Sequence, residues 1–442
     1  MRSVRAGGCI VPSVGPLGAL QAEQSNLNGC VAEPQHRLVA ATLAMTGDTV
    51  ARRGLPKPRD RDSVRASIDC DGKETTVMTS KIRVGIVGAS PGRGFASISH
   101  IPALQALPDF EIVAVCTSSQ QSADAAAKHY GVPLAFADPA ALAAHPDVDL
   151  VTVSVKVPDH YQPVMAAIEA GKHVYCEWPL GRDTGEAIHM RDAAKRRGIR
   201  HAVGLQGQVS PAINYVKDLI AEGHIGRVLS ATLFVNAGNW GKTIDRAYQT
   251  ERANGANLMT ITGGHNLDLL CHCLGEFREL SAFAVSQRDH IPLQSTGEMI
   301  AKDVPDQLVV SGIVGDGAVV SCQVRGGMTR GHEFLCEIHG EDGDLVLAAT
   351  SRASTQRQEL TVQGARGASE PLAEMVIPAK YRWVPDTVPQ GSPYNVAQLY
   401  ARLGEGIRSD KTVTPGFAAA VTRHRLLDMI VRAAETGHKQ VA

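Results

Sequence analysis

The feature that most constrains this chain is a short apolar run that ends in glycines and passes straight into a helical stretch. Ile82-Arg83-Val84-Gly85-Ile86-Val87 leads into Gly88-Ala89-Ser90-Pro91-Gly92-Arg93-Gly94, and residues 95–107 read as a helix despite Pro102. Small residues at such a turn let the backbone approach a phosphate, and the unpaired N–H groups at the helix start face its charge. The spacing departs from Gly-x-Gly-x-x-Gly, because Ser90 stands where the second glycine would be. Alone, the loop could be any tight strand–helix turn. Its setting says more. Strand-like runs at 111–116, 150–155, 173–176 and 200–204 alternate with helical patterns at 122–130, 163–170 and 184–197. This predicts βαβ units and a doubly wound parallel sheet buried on both faces, a Rossmann domain.

In such a domain Gly88, Ala89, Ser90, Gly92 and Gly94 would meet the pyrophosphate of NAD or NADP. An acidic residue closing the second strand would select the ribose of NAD. Here Cys116-Thr117-Ser118-Ser119 stands instead, so Thr117 and Ser118 are candidates for the ribose or its phosphate, and either cofactor fits. Lys156, directly after the run at 150–155, is a candidate polar group beside the cofactor or simply a solvated lysine.

After about residue 206 the rhythm changes. Helices become few, and runs at 228–235, 280–285, 307–313, 318–324 and 334–339 predict a mostly antiparallel open sheet in a second α/β domain, closed by helices at 396–407 and 417–436. The expected organisation is an extension over 1–78, an NAD(P)-binding domain over 79–206, and a substrate and oligomerisation domain over 207–442. No aromatic residue occurs before Phe95, and the first 78 residues show no sustained period beyond a turn or two of helix at 38–44. Such a segment lacks the large apolar side chains that offset ordering entropy.

A net charge of −1 leaves no footprint for nucleic acid or an anionic membrane surface, and no apolar run approaches a membrane span. Nine scattered cysteines suit a reducing, cytoplasmic setting. Cys271-His272-Cys273 is a poor zinc site, since residues two apart on a helix diverge, and no metal is expected.

Further motifs appear in order: Val157-Pro158-Asp159-His160, then Ala170-Gly171-Lys172-His173-Val174-Tyr175-Cys176-Glu177-Trp178-Pro179-Leu180, then Ala221-Glu222-Gly223-His224-Ile225-Gly226-Arg227-Val228. Together they resemble the glucose–fructose oxidoreductase / inositol dehydrogenase / MocA family, from about Lys81 to the C-terminal helix. The resemblance implies an enzyme acting on sugars, polyols or related compounds with NAD or NADP, and a homo-oligomer formed through the open sheet. It also implies that His160, Glu177, Trp178 and Pro179 border the cofactor and that His265 is catalytic. The family's Glu-Lys-Pro reads Glu177-Trp178-Pro179 here, and the aspartate it places four residues before the histidine is replaced by Ile261. Glu177-Trp178, Leu205-Gln206-Gly207, Met259-Thr260-Ile261-Thr262-Gly263-Gly264-His265, Val304-Pro305-Asp306 and Ile338-His339-Gly340 resemble the branch of the yeast galactose-regulon repressor, which implies a second possibility, a dinucleotide-loaded regulator that binds a protein partner.

His265 lies on a helix with Leu267, Leu270 and Leu274 as its apolar stripe. A histidine held by a carboxylate such as Asp268 can act as general base toward a substrate hydroxyl. Otherwise it is a hydrogen-bonded structural histidine. Asn239 and Trp240, in a Gly-rich stretch, would suit a polyhydroxylated ligand, or merely line a surface loop.

Overall fold

The computed structural model describes residues 62–68, 74–240, 243–327, 333–349 and 359–442. The helix expected at 38–44 lies outside them, as does the rest of 1–61. Strands β1 (Asp62–Ile68) and β2 (Glu74–Ser80) pair as an antiparallel ribbon. Residues 62–78 belong to the stretch expected to lack regular structure. Thr75, Thr76, Val77 and Thr79 give it a strand propensity that a search for apolar periods overlooks.

The first sheet contains β3 (Ile82–Val87), β4 (Phe110–Cys116), β5 (Leu134–Phe136), β6 (Leu150–Val153), β7 (His173–Cys176) and β8 (His201–Val203). They run in the order β5-β4-β3-β6-β7-β8, every pair parallel. Helices α1 (Ile101–Ala106), α2 (Gln120–Tyr130), α3 (Pro139–Ala144), α4 (Tyr161–Glu169) and α5 (Thr184–Arg197) connect them. The chain builds outward from β3 to β5, then returns to place β6 on the other side of β3. That reversal opens a crevice at the carboxyl ends of β3 and β6, where ligands of open α/β sheets bind. A wide π turn, Ala96–His100, precedes α1. It accommodates Pro102, which has no N–H for a regular turn.

The second domain begins with α6 (Pro211–Ala221) and β9 (Val228–Ala237), and a long segment then leads to α7 (Gly264–Leu274). Next come β10 (Phe277–Val285), a small ribbon of β11 (His290–Pro292) and β12 (Met299–Ala301), then β13 (Gln307–Val314), β14 (Ala318–Gly326), β15 (Phe334–Gly340), β16 (Gly343–Ala349), β17 (Thr361–Arg366) and β18 (Ala373–Glu374). With the terminal β19 (Gln440–Val441), a nine-stranded sheet forms in the order β18-β17-β16-β15-β9-β14-β13-β10-β19. Only the β9–β14 pair is parallel. Alternation in β14 buries Ala318, Val320, Cys322 and Val324 and leaves Val319, Ser321 and Gln323 on the outer face.

The last two helices do not stay with the second domain. Helix α8 (Ser392–Ser409) buries Leu399, Tyr400 and Leu403 in one cluster with Val84, Ile86, Leu104 and Tyr175 of the parallel-sheet domain. At about 1.5–3 kcal/mol per large apolar side chain, α8 is a structural part of that domain. Helix α9 (Phe417–Thr436) packs against both α5 and β10, joining the two sheets.

Candidate active site

The crevice has one edge made of backbone. Gly88 sits at φ +100°, and a Cβ there would collide with the carbonyl oxygen of Ser154 on the neighbouring strand. Its glycine is therefore required for strand approach, before any ligand is considered. Gly92 and Gly94, at φ +64° and +75°, have no atom within 4 Å of where a Cβ would lie. The space above them is open, Ala89 is buried beneath, and Ser90 is half-buried. At the end of β6 the Ser154 hydroxyl is buried with no protein partner. Open backbone, a helix start and an unspent hydroxyl together fit a phosphate-bearing ligand. Thr117 is less available: its hydroxyl donates to the Ser119 carbonyl and shares a 2.6 Å hydrogen bond with Ser122, within the cap of α2. Ser118 stays exposed.

Beneath this edge lies a buried polar chain absent from the sequence-based expectations. The Glu177 carboxylate faces Gln206 Nε2 at 2.9 Å and His100 Nε2 at 3.0 Å. His100 Nδ1 faces the Tyr400 hydroxyl at 2.9 Å, which lies 2.8 Å from Thr152 Oγ1. His100 thus bridges the Glu177 carboxylate and the Tyr400 hydroxyl through its two ring nitrogens. Glu177 is thereby held by the glycine-loop helix and, through Tyr400, by α8. His160 is likewise buried, with Nδ1 2.9 Å from the Pro179 carbonyl and Nε2 3.3 Å from that of Val155. Burial pushes its pKa down and keeps it neutral. It fastens the β6 turn to the Trp178-Pro179 turn.

The facing edge comes from the second domain. Asn257 caps the turn Leu258–Gly263 by accepting from the N–H groups of Met259 and Thr260, and that turn runs into α7. Trp178 meets it: Nε1 donates to the Thr260 carbonyl at 2.8 Å, and a Cβ on Gly264 would lie 2.6 Å from the same nitrogen. Trp178 is 4% exposed and its ring stacks obliquely on His424, centroids 4.8 Å apart. Its N–H is committed to the protein. His265, the second residue of α7, is 3% exposed.

Asp268 does not face an open site. Its carboxylate accepts from Gln208 at 3.0 and 3.1 Å and from Arg423 Nε at 3.2 Å, and Arg423 also bonds Glu276. Burial opposes the charge on Asp268 and raises its pKa, while Arg423 and Gln208 lower it. This carboxylate locks α7 to α9. His424, also on α9, is depressed to about 4 by burial. Trp240 is buried against Gly326 at the end of β14, and the Asn239 side chain lies outside the described residues. Lys156 is exposed at the crevice mouth. Among the described residues, no histidine, cysteine and carboxylate cluster could hold a metal ion.

His100, Ser154, Gln208 and Arg423 carried no local signal of their roles, since their partners are remote in the chain. Gln206 did fall within a motif, without its role being evident.

A parallel sheet with an open-backbone loop at its switch point, faced by a histidine-bearing helix from an open-sheet domain, is the architecture of a two-domain dinucleotide oxidoreductase. A family profile described as the oxidoreductase family with NAD-binding Rossmann fold matches residues 82–205, and one for the C-terminal domain of Gal80p matches 211–349. The chain is 33% identical over 377 residues to dehydrogenase aclE of Aspergillus oryzae, covering 81% of this chain and 98% of that one. It is 30% identical over 325 residues to the galactose/lactose metabolism regulatory protein GAL80 of Saccharomyces cerevisiae, covering 68% and 74%. Its fold is shared with a super-repressor mutant of that yeast protein (TM-score 0.73, 24% identity, 82% and 98% covered) and with levoglucosan dehydrogenase in complex with NADH and levoglucosan (0.71, 24%, 82% and 99%). The chain belongs to the glucose–fructose oxidoreductase / inositol dehydrogenase / MocA family, and its first domain is the family's NAD-binding fold. No helix among the described residues is long and apolar enough to cross a membrane.

Proposed function

We propose that the chain is an NAD(P)-dependent oxidoreductase that moves a hydride between the nicotinamide and a sugar-like or other small hydroxylated substrate. The observation that supports this is the open backbone over Gly92 and Gly94 at the sheet's switch point, with the start of α7, which carries His265, tied to the same sheet edge through Trp178. A dehydrogenase aligned along 98% of its length supports it, as do relatives named for levoglucosan and inositol. The bound dinucleotide would supply the hydride acceptor or donor. His265 would take the hydroxyl proton as a carbonyl forms, because an imidazole titrates near neutrality. Gly88, Ala89, Ser90, Gly92 and Gly94 would hold the phosphates, and Ser118 the ribose. Glu177, Trp178, Pro179 and His160 would shape the nicotinamide end from beneath.

The outer face of the large sheet exposes Phe283 and Val319, and Phe283 pairs across strands with the partly exposed Val309. These suit a homo-oligomer through that face. The six described cysteines are all free thiols, which suits a reducing compartment such as the cytoplasm.

A second reading, a dinucleotide-loaded regulator with a protein partner, is favoured by one observation. The position of the family's lysine holds Trp178, whose side-chain N–H is spent on Thr260. The experiment is a panel of sugars and polyols incubated with NAD⁺ and NADP⁺, read by absorbance of the reduced cofactor, beside direct dinucleotide titration. For the oxidoreductase, His265→Ala lowers kcat roughly 10²- to 10⁴-fold with dinucleotide affinity nearly unchanged. Intact dinucleotide binding without turnover of any panel member would instead select the regulator.

A further inference from the structure

The Trp178 indole has no donor left for a ligand, yet the crevice mouth is not without cationic groups. Lys156 follows β6 by three residues, and its carbonyl accepts from the Asp159 N–H at 2.8 Å, fixing the backbone there. Register pairs Val153 with Cys176, so Lys156 emerges beside the Glu177-Trp178-Pro179 turn of the adjacent strand. Its side chain is exposed, and its Nζ lies 5.3 Å from the centroid of the Tyr248 ring. Tyr248 belongs to the second domain, on the segment that leads to Gly255, packed on Arg182, and to Thr260, bonded to Trp178. The ammonium therefore spans the crevice from one domain to the other. Among the described residues no carboxylate pairs with it. A cation resting on an aromatic face is oriented by the ring quadrupole and keeps its N–H donors for another acceptor.

On the reading proposed above, we infer that Lys156, seated on Tyr248, is a substrate-positioning residue that donates hydrogen bonds to oxygens of the bound sugar or polyol. The dinucleotide phosphates are the other oxygen-rich acceptors in reach of this edge. They belong at the start of the glycine-loop helix, whereas Tyr248 draws the ammonium toward the second domain. The donor thus stands on the substrate side. Tyr248 contributes its ring face; its hydroxyl is not required.

The test uses the full chain and compares Lys156→Met, Lys156→Arg, Tyr248→Phe and Tyr248→Leu with wild type. NADH and NADPH affinities are read by cofactor fluorescence. Levoglucosan, myo-inositol and D-glucose serve as probes, both for turnover and for their effect on the fluorescence of bound reduced cofactor. For Lys156→Met we expect KM, or the probe concentration giving half the fluorescence change, to rise roughly 10- to 100-fold, the range of a lost charged hydrogen bond. Dinucleotide Kd stays within about twofold, and Lys156→Arg recovers part of the loss. Tyr248→Phe stays near wild type, while Tyr248→Leu weakens probe binding severalfold.

A Lys156→Met protein that loses dinucleotide affinity and keeps its KM overturns the inference in favour of a phosphate contact. Unchanged behaviour in both assays makes Lys156 a solvated cation and also overturns it. Equal defects in Tyr248→Phe and Tyr248→Leu refute the ring-face role. A wild-type protein that responds to no probe removes both this inference and the oxidoreductase reading; a responsive wild type with an indifferent Lys156→Met removes the inference alone.

Discussion

The two edges of the crevice are built in opposite ways. On the glycine-loop side the surface is backbone, with open space over Gly92 and Gly94 and a buried Ser154 hydroxyl lacking a protein partner. On the α7 side, Trp178, Asn257 and Asp268 are spent on Thr260, on two backbone N–H groups, and on Gln208 with Arg423. The first edge leaves polar capacity for a ligand, while the second uses much of its own to hold one helix in place. The difference separates residues that should govern affinity from residues that should govern stability.

The largest effect is expected where the locked edge loses its cation. Arg423→Leu leaves Asp268 buried without its charge partner, and breaking such a pair costs about 3–5 kcal/mol. Denaturant unfolding measures this, and adding Asp268→Asn should recover part of it. A variant as stable as wild type would mean that the α7 edge is not locked by that pair. Next comes Gly264→Ala, whose new methyl meets the Trp178 indole. Overpacking of this kind costs about 1–3 kcal/mol, and a smaller residue at 178, as in Trp178→Leu, should relieve much of that strain in a double-mutant cycle. Additive single effects would disconnect the two residues. The smallest change in stability belongs to the open edge. Asparagine tolerates the left-handed conformation, so Gly92→Asn should cost under about 1 kcal/mol of folding. Dinucleotide affinity should fall roughly tenfold or more, equivalent to about 1.4 kcal/mol. Calorimetric titration showing wild-type affinity would erase the contrast between the edges.

Much of the parallel sheet was legible because strands buried on both faces appear as apolar runs between helical patterns. β5 and α3 escaped notice: one is three residues long, and the other is a six-residue Pro-Ala-Leu stretch. β17 carries little apolar signal, since Gln363 and Gly364 interrupt it, and β16 is a short apolar run without alternation. The glycine loop was recognised for its small residues, but the duty of Gly88 was hidden. Its neighbour Ser154 arrives on a strand 66 residues later. Asp268 lies on the helix its spacing predicts, held by Gln208 and Arg423, which no local pattern announces. A carboxylate three residues from a histidine looks like its partner, whereas the groups that hold Asp268 lie 60 residues before it and 155 after it. Pairings at that separation leave no local pattern. Trp178 was identified by position, and its bond to Thr260 joins two domains whose meeting only the fold reveals.

The return of α8 to the parallel sheet sets an order of events during synthesis. Strands β3 to β8 leave the ribosome before residue 204, yet the helix that covers Val84, Ile86 and Tyr175 is the stretch Ser392–Ser409. For nearly two hundred residues of elongation, the face that α1 partly covers lacks its second native helix, α8. At roughly 5–20 residues per second that interval lasts about ten to forty seconds, time in which exposed apolar surface invites aggregation. The domain made first is therefore completed among the last, and a nascent chain of this protein should spend that interval as a client of chaperones.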